Sequence, residues 1–402
     1  MKYNFIDLFS GAGGLSEGFL KSGFNSLCHL DFDYYSTKTV EKRLEHYGYK
    51  LNNDNVILSD ITEKDVLSRI SDCVGKEKVN IIIGGPPCQS FSSLGKAKDK
   101  HSMKKDKRNY LFESYIKILE HFSPEIFVFE NVPGILSQNV NNNKVIDLVT
   151  KGLSKKYKLI DSHKKMVLNS CDYGVPQVRK RVIIIGVRKD LEIDADLIYD
   201  NIIKTHFNPK SSIEEKKDKK KYVTVKDSIQ DLPSIMPNEG VDKIEHKIDK
   251  WNDYLLKIRH KKYQYITHHV SRNHNKIDRE RYKLMSKHEL KFVDLLNKYP
   301  HLSHKKRRVF NNSYVVQRWN YPSNTIIAHL YKDGNQFIHP NYRQERTLTP
   351  REAARLQSFP DDFVFCGPRT EIYKQIGNAV PPIMAESIAL AIKKTLNKLK
   401  NV

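Results

Sequence analysis

The sequence predicts an α/β protein built around an open, mostly parallel β-sheet. Short apolar runs typical of buried strands are separated by amphipathic stretches typical of helices along the first half of the chain. Several of these runs end in glycine, proline or a polar side chain that could contact a ligand. Open α/β sheets bind their ligands beyond the carboxyl ends of the strands. We therefore expect the functional site at that edge of the sheet.

Length and charge limit the classes of function. The 402 residues suffice for two or three domains, and 69 Lys and Arg against 47 Asp and Glu give a formal net charge of +22. This excess predicts a polyanionic partner, with a general solubility bias as the alternative. The five scattered cysteines predict no zinc or disulfide framework. No apolar run approaches the roughly 18 residues of a membrane span, so we expect a soluble, cytoplasmic protein.

The first predicted unit has the form of a nucleotide-binding strand, turn and helix. Residues 3–9 predict a short strand, residues 10–14 a glycine-rich turn, and the following helix stops near Gly23. The dinucleotide fingerprint G-x-G-x-x-G would need glycine where the chain has Ser16, with Gly18 two residues later. This departure disfavours pyrophosphate binding and leaves a smaller nucleoside ligand open.

The next two predicted strands lead into acidic residues. Residues 25–30 end at Asp31 and Phe32, and residues 56–59 end at Asp60. An acid at the end of the second strand commonly accepts the ribose hydroxyls, and an adjacent aromatic ring can stack on adenine. The alternative for Asp31 is a helix N-cap. Asp60 could accept the adenine amino group.

A cysteine follows the fourth predicted strand. Residues 81–83 run into Gly-Gly-Pro-Pro (84–87) and then Cys88, which makes Cys88 a candidate nucleophile; a buried structural thiol is the alternative. Glu130 follows the strand at residues 126–129 in the same way and could protonate what the thiol attacks, with a simple cap as the alternative. The basic loop at residues 95–108 is expected to close over a substrate.

Two further features lie in the middle of the chain. Gln177, Arg179 and Arg181 alternate along an extended segment, so both arginines could point into one cleft; surface ion pairing is the alternative. Residues 259–265 and 301–308 interleave cations with aromatic or apolar residues, as surfaces that bind phosphates do. A solvated basic face is the alternative there.

Six segments in order resemble the DNA (cytosine-5) methyltransferases of bacterial restriction-modification systems. They are residues 7–14 (DLFSGAGG), 85–92 (GPPCQSFS), 130–132 (ENV), 177–181 (QVRKR), 346–352 (RTLTPRE) and 375–382 (QIGNAVPP). The resemblance implies that Cys88 attacks C6 of a cytosine while Glu130 contacts N3. It also implies that Arg181 holds O2 of the base, that Arg179 supports the site, and that the target base is flipped out of the duplex.

The resemblance also implies a cofactor and a domain plan. The cofactor would be S-adenosylmethionine, with no metal. The fold would be a doubly wound, mostly parallel sheet of the S-adenosylmethionine-dependent methyltransferase type, with a smaller inserted target-recognition domain. The expected domains are a first catalytic part (1–195), the target-recognition domain (196–343) and a return to the catalytic domain (344–402). The expected cofactor residues are Phe9, Gly11, Ala12, Gly13, Gly14, Leu15, Asp31, Phe32, Asp60, Ile61, Pro86, Leu111, Asn378, Ala379 and Val380.

Duplex DNA is the expected partner, and a cognate restriction endonuclease could share the target sequence without a direct complex. Several other functions stay open on the sequence. A dinucleotide-dependent oxidoreductase would explain the opening unit but not Pro-Pro-Cys-Gln, and a catalytically silent nucleic-acid-binding protein would explain the charge. Methylation of a cytosine in RNA, such as tRNA, is a nearer variant. Methylation of an exocyclic amino group is disfavoured because it needs no cysteine.

Overall fold

A computed structural model gives the fold and describes residues 2–51, 55–87, 111–140, 143–303 and 314–400. The chain groups into two compact units. The first consists of Met1–Asn169, Lys180–Lys204 and Pro382–Val402, and the second of Ser170–Arg179 and Thr205–Pro381. Residues 344–381 thus group with the second unit, whereas the predicted boundaries join them to residues 382–402. Which unit carries which function stays a prediction.

Strands and helices alternate along much of the chain. The strands are β1 (Asn4–Leu8), β2 (Asn25–Asp31), β3 (Val56–Leu58), β4 (Ile81–Gly84), β5 (Ile126–Asn131), β6 (Asn139–Val140), β7 (Asn143–Lys144), β8 (Tyr157–Lys158), β9 (Val167–Asn169), β10 (Lys180–Arg188), β11 (His206–Phe207), β12 (Lys220–Lys221), β13 (Gly240–Glu245) and β14 (Tyr265–Val270). The helices are α1 (Gly14–Lys21), α2 (Tyr34–His46), α3 (Val66–Val74), α4 (Leu111–Phe122), α5 (Val145–Leu153), α6 (His163–Met166), α7 (Ala195–Asn201), α8 (Ile213–Lys216), α9 (Val225–Ile229), α10 (Asp253–Ile258), α11 (Lys276–His288), α12 (Phe292–Lys298), α13 (Pro350–Leu356), α14 (Arg369–Asn378) and α15 (Pro382–Lys400).

The first unit is organised around one mixed sheet. Within the described residues its strand order is β3-β2-β1-β4-β5-β10-β8, and β9 also pairs with β10. The strands from β3 to β5 are parallel to their neighbours, and β10 runs antiparallel to β5. Side chains such as Ile6, Ile82, Val128 and Ile184 are fully buried in its core. The predicted α/β fold with a mostly parallel sheet is therefore confirmed.

Helix α15, from the end of the chain, packs closely on α1. A side chain at Gly18 would overlap the backbone of Ala385 and Glu386, so only glycine permits this approach. The amino group of Lys393 also donates to the carbonyl of Ser22 at 2.7 Å. The carboxyl-terminal helix is thus part of the first unit despite its distance in sequence.

The second unit contains a buried ionic network that joins its carboxyl-terminal part to earlier residues. The guanidinium of Arg355 contacts Asp361 at 2.8 and 2.9 Å and Asp231 at 2.6 Å. Arg346 makes two 2.7 Å contacts with Glu352. Of these contacts, the one between Arg355 and Asp231 joins residues 344–381 to an earlier part of the second unit, whereas the pairs with Asp361 and Glu352 lie within that segment. Unpaired, such charges would carry a large desolvation cost.

The predicted phosphate-binding surface at residues 259–265 lies in the second unit. Arg259 is buried, donates to the carbonyls of His246 and Tyr263 and lies 3.4 Å from Asp361, so it is not an exposed phosphate-binding cation. Helix α13 begins with a reciprocal capping box between Thr349 and Glu352.

No helix among the described residues is long and apolar enough to cross a membrane.

Candidate active site

The strand order of the first unit creates a topological switch point between β1 and β4. The chain moves outward from β1 to β2 and β3 on one side, and from β4 to β5 on the other. Leu8 of β1 is level with Leu30 of β2 and Gly84 of β4, and Gly84 is level with Phe129 of β5. Their carboxyl ends therefore meet at one edge. Open α/β sheets bind ligands at such a point.

The glycine turn after β1 forms the centre of this edge. Phe9, Gly11 and Gly13 all have positive φ angles of 59°, 52° and 80°. A side-chain carbon at Gly11 would meet no atom within 4 Å, so there is open space above this residue. Ala12, Gly14 and Leu15, also predicted as cofactor residues, are buried at the start of α1. The turn thus leaves an exposed backbone surface that a ligand can approach.

Asp31 lies beside this turn at the end of β2. Its carboxylate accepts hydrogen bonds from the backbone N–H of Gly11 at 2.7 Å and of Asp33 at 2.9 Å. Burial raises the pKa of Asp31 to about 6, although these backbone hydrogen bonds oppose the rise. The neighbouring Phe32 ring is 68% exposed. A buried acceptor next to an exposed aromatic ring fits a ribose joined to an adenine.

The remaining predicted cofactor residues of the first unit follow β3 or β4 or begin α4. Asp60, exposed after β3, accepts from the backbone N–H and hydroxyl of Thr62 at 2.9 and 2.8 Å. Ile61 and Pro86 are buried, and Leu111 is half-buried at the start of α4. The acceptor carboxylates of Asp31 and Asp60 and the open space above Gly11 therefore fit an adenosyl cofactor.

Glu130 and Arg181 form an ion pair at the same edge. Nε of Arg181 lies 2.8 Å from Oε1 of Glu130, and both side chains are largely buried. Burial lowers the pKa of the Arg181 guanidinium, and the carboxylate of Glu130 opposes this shift. A side-chain carbon at Gly85 would come within 2.7 Å of Oε2 of Glu130. The acid thus lies directly against the turn that leads to position 88.

Cys88 itself lies outside the described residues, as does the predicted loop at residues 95–108. The described chain reaches Pro87, which directly precedes the cysteine.

Arg179 has different surroundings, within the second unit. Its fully buried guanidinium donates to the carbonyls of Ile326 at 2.7 Å and Gly377 at 3.0 Å. The neighbouring Gln177 accepts from the N–H of Ile326 at 2.8 Å, and Thr325 donates to the carbonyl of Val178 at 2.6 Å. Arg179 therefore contacts backbone carbonyls, whereas Arg181 contacts a carboxylate.

The last predicted cofactor residues also belong to the second unit. Asn378 is exposed at the end of α14, Ala379 is half-buried, and Val380 is buried. The side-chain amide of Gln357 donates to the carbonyl of Ala379 at 2.6 Å and holds this segment in place.

Sequence reasoning missed a buried polar cluster beneath the glycine turn. Ser16 donates to the carboxyl group of Asp7 and lies 3.4 Å from Nδ1 of His29. Burial raises the pKa of Asp7 to about 8 and lowers that of His29 to about 3, so burial favours the uncharged form of both groups. Ser16 is the residue that departs from the dinucleotide fingerprint. The serine at this position was the available signal in the sequence. Its partner Asp7 lies on β1, so the hydrogen bond could be found only from the structure.

Within the described residues, no group of three or more His, Cys, Asp or Glu side chains could hold a metal ion.

An α/β sheet with an acid, an exposed aromatic ring and a glycine turn at its switch point is typical of a nucleotide-binding protein. The family model for C-5 cytosine-specific DNA methylases matches residues 3–394. The chain therefore belongs to this family and is a DNA (cytosine-5) methyltransferase.

Curated relatives extend this assignment along the chain. The Type II methyltransferase M.Bpa9945I of Bacillus paralicheniformis is 33% identical over 458 residues, which cover 98% of this chain and 99% of the relative. The Type II methyltransferase M.DdeI of Desulfomicrobium norvegicum is 33% identical over 409 residues, covering 96% and 87%. The expected restriction-modification type is confirmed by these relatives.

Solved structures agree with the fold. A DNA modification methyltransferase encoded within an E. coli prophage is 26% identical and superposes with a TM-score of 0.70, covering 98% of this chain and all of that chain. The S. pombe Dnmt2 methyltransferase, at 16% identity and a TM-score of 0.54 with 98% and 100% coverage, supports the fold alone.

Proposed function

We propose that this enzyme methylates C5 of one cytosine within a specific sequence of duplex DNA, through a covalent bond between Cys88 and C6 of a flipped-out base. The observation that supports the proposal is the contact between two strand ends. Gly85, which begins the turn leading to Cys88, lies against Glu130, and Glu130 is paired with Arg181. A thiol that follows this turn would share one edge of the sheet with an acid and a cation.

The residues divide the reaction into simpler steps. The Cys88 thiolate adds to C6, forming an S–C6 bond, while Glu130 provides a proton at N3 and electron density moves to C5. Arg181, at 2.8 Å from Glu130, would hold O2 of the base, and Arg179 would support this arrangement. C5 would then bond to the methyl carbon as the bond between that carbon and the sulfonium sulfur breaks, which leaves the sulfur as a neutral thioether. Loss of the C5 proton to a base, cleavage of the S–C6 bond and return of the N3 proton to Glu130 would release 5-methylcytosine and the Cys88 thiolate.

S-adenosylmethionine would supply the methyl group as an electrophilic carbon on a sulfonium. Asp31 would accept the ribose hydroxyls, the exposed Phe32 would stack on the adenine, and Asp60 would accept the adenine amino group. The remaining proposed contacts are Phe9, Gly11, Ala12, Gly13, Gly14, Leu15, Ile61, Pro86, Leu111, Asn378, Ala379 and Val380. The open space above Gly11 supports this assignment.

We also propose that residues 196–343 recognise the DNA sequence, because the net charge of +22 favours a polyanion and this long interval lacks the catalytic segments. The Type II relatives support a role in protecting DNA from a cognate endonuclease with the same target. No direct complex with that endonuclease is required.

Trapping with 5-fluorocytosine tests the chemistry. Methylated positions are first mapped on random duplex DNA with labelled S-adenosylmethionine, and the target cytosine is then replaced by 5-fluorocytosine. Because fluorine cannot leave C5 as a proton does, the wild-type enzyme should accumulate a covalent complex that survives denaturation. Formation of the complex should require S-adenosylmethionine.

Cys88→Ala is the essential control and should form no complex. Cys73→Ala, which changes a half-buried cysteine on α3, should trap DNA like the wild type. A complex formed by Cys88→Ala, or methylation by it at the wild-type rate, would overturn the covalent mechanism.

A further inference from the structure

The turn between β4 and Cys88 has a backbone N–H only at Gly85. Residues 86 and 87 are both proline, and proline has no backbone N–H. The last residue of β4 in register with β5 is Gly84, opposite Phe129. Beyond this pair, the backbone groups of the turn that can form hydrogen bonds are mainly its carbonyl oxygens, which act as acceptors. Such a turn needs a donor from another element if its position is to be fixed.

Asn131, the last residue of β5, provides that donor. Its side-chain Nδ2 donates to the carbonyl of Pro86 at 3.1 Å, and both residues are buried. The other side-chain atom, Oδ1, accepts from the N–H of Val132 at 2.9 Å. This second contact orients the amide, so that its NH₂ group faces Pro86.

A second contact joins the same two strand ends. Oε2 of Glu130 lies so close to Gly85 that a side-chain carbon there would approach it to 2.7 Å. The turn is therefore contacted by two consecutive residues of β5. Glu130 contacts its first residue, and Asn131 contacts its second.

We propose that Asn131 is a positioning residue, which replaces the missing donors of the Pro86–Pro87 turn and thereby holds Cys88 at the distance from Glu130 that the reaction needs. The inference rests on the proposed covalent role of Cys88. Asn131 contacts neither cytosine nor cofactor in this scheme. Its effect on the reaction passes through the position of the thiol.

The chain offers a matched control in Tyr115 of α4. The buried hydroxyl of Tyr115 lies 3.3 Å from the carbonyl of Ile82 and 3.0 Å from that of Val128. It thus connects the same two strands, β4 and β5, at Ile82 and Val128, and the change to phenylalanine keeps the ring that packs at Gly84. Tyr115→Phe should remove a buried hydrogen bond from these strands without moving residue 88.

The experiment compares full-length wild type, Asn131→Ala, Asn131→Asp and Tyr115→Phe. For each enzyme we would measure kcat, the KM values for DNA and S-adenosylmethionine, the Tm, and the single-turnover rate of 5-fluorocytosine trapping. Asn131→Ala should lower kcat and the trapping rate by about 100-fold, the size of effect that a misplacement of about 1 Å produces. The KM values should change little. Tyr115→Phe should lower the Tm while kcat stays close to that of the wild type.

Asn131→Asp adds a pH signature that a purely structural role would not produce. The aspartate keeps the volume of asparagine, but its ionised carboxylate cannot donate to the carbonyl of Pro86. A protonated carboxyl group can donate. The activity of this variant relative to wild type should therefore rise as the pH is lowered, and the activity of Asn131→Ala relative to wild type should not.

The results separate this inference from the proposed function. Absence of any trapped complex with wild type would overturn the covalent role of Cys88 and this inference with it. If wild type traps DNA but the Asn131 variants keep its kcat, only the positioning role fails. Equal losses of kcat and Tm in Asn131→Ala and Tyr115→Phe, with no pH signature in Asn131→Asp, would likewise reduce Asn131 to a stabilising residue.

Discussion

At the scale of single residues, the sequence located the strand-end groups but could not give their ionisation. Asp31 was expected at the carboxyl end of β2, and the structure places it there beside the glycine turn. Burial raises its pKa to about 6, although hydrogen bonds from backbone N–H groups oppose this rise. Local sequence encodes neither effect. The same holds for Asn131, whose partner Pro86 is 45 positions earlier in the chain. The role of a residue whose partner lies on a neighbouring strand can be assigned only once the fold is known.

The raised pKa of Asp31 predicts a pH dependence for cofactor binding. An ionised carboxylate accepts hydrogen bonds from both ribose hydroxyls, whereas protonation uses one oxygen as a donor. Affinity for S-adenosylmethionine should therefore be full above a pH of about 6 and should fall as the pH drops through that value. Calorimetry in buffers of different ionisation heat should detect proton release on binding near this pH.

Substitution at Asp31 checks that the pH dependence comes from this group. Asp31→Ala should weaken binding of S-adenosylmethionine by about 1 to 3 kcal/mol, the cost of leaving buried polar partners unpaired. It should also abolish the pH dependence. Asp33→Asn is the matched control, because asparagine can keep the cap to the N–H of Ser36. Equal losses of DNA and cofactor affinity in Asp31→Ala would instead indicate a structural role.

At the scale of elements, two neighbouring positions in α1 explain the departure from the dinucleotide fingerprint. Position 16 carries a serine whose hydroxyl donates to the carboxyl group of Asp7 on β1, a hydrogen bond that glycine could not form. The close approach that needs a glycine occurs at Gly18, where α1 packs against α15. The sequence showed that the glycine was displaced. It could not show why, since the helix that demands it lies more than 360 positions later.

Gly18→Ala should destabilise the protein by about 1 to 3 kcal/mol, because the added carbon would meet the backbone of α15 and force the helices apart. Urea unfolding should show the loss as a lower midpoint. The intrinsic preference of helices for alanine, up to about 1 kcal/mol, acts in the opposite direction and reduces the net effect.

Gly152→Ala in α5 is a suitable control. The added carbon there would meet only the flexible end of Ile116, which can move aside. The helix preference for alanine should then dominate, so stability should stay equal or rise. Similar destabilisation of both variants would contradict the close packing of α1 on α15.

At the scale of the whole molecule, the sequence predicted an interrupted catalytic domain, and the described units are interrupted as well. The carboxyl-terminal helix groups with the first unit. Residues 344–381 group with the second unit, where Arg346 donates to the carbonyl of Ile235 and Arg355 contacts Asp231. Sequence motifs marked these residues as belonging to the methyltransferase pattern, but motif order alone does not reveal which residues they pack against.

The last prediction is that target choice can be exchanged without changing the methylated atom. Base-edge contacts carry sequence information, whereas phosphate contacts do not, and we assign the base-reading residues to the interval 240–340. Replacing it with the matching interval of a Type II relative that has another target should transfer that target, while the methyl group still appears on cytosine C5. Sequencing of methylated random DNA gives both results at once.

The structure also indicates how this exchange must be made. Within the interval, Arg259 contacts Asp361 and Thr267 accepts from Arg351, and both partners lie beyond residue 340. A graft that keeps Arg259 and Thr267 should fold, whereas one that replaces them leaves buried charges with fewer partners and should be less stable. If the folded, active graft keeps its original target, the base-reading residues lie outside 240–340. The loop at residues 95–108 would then be the next segment to exchange.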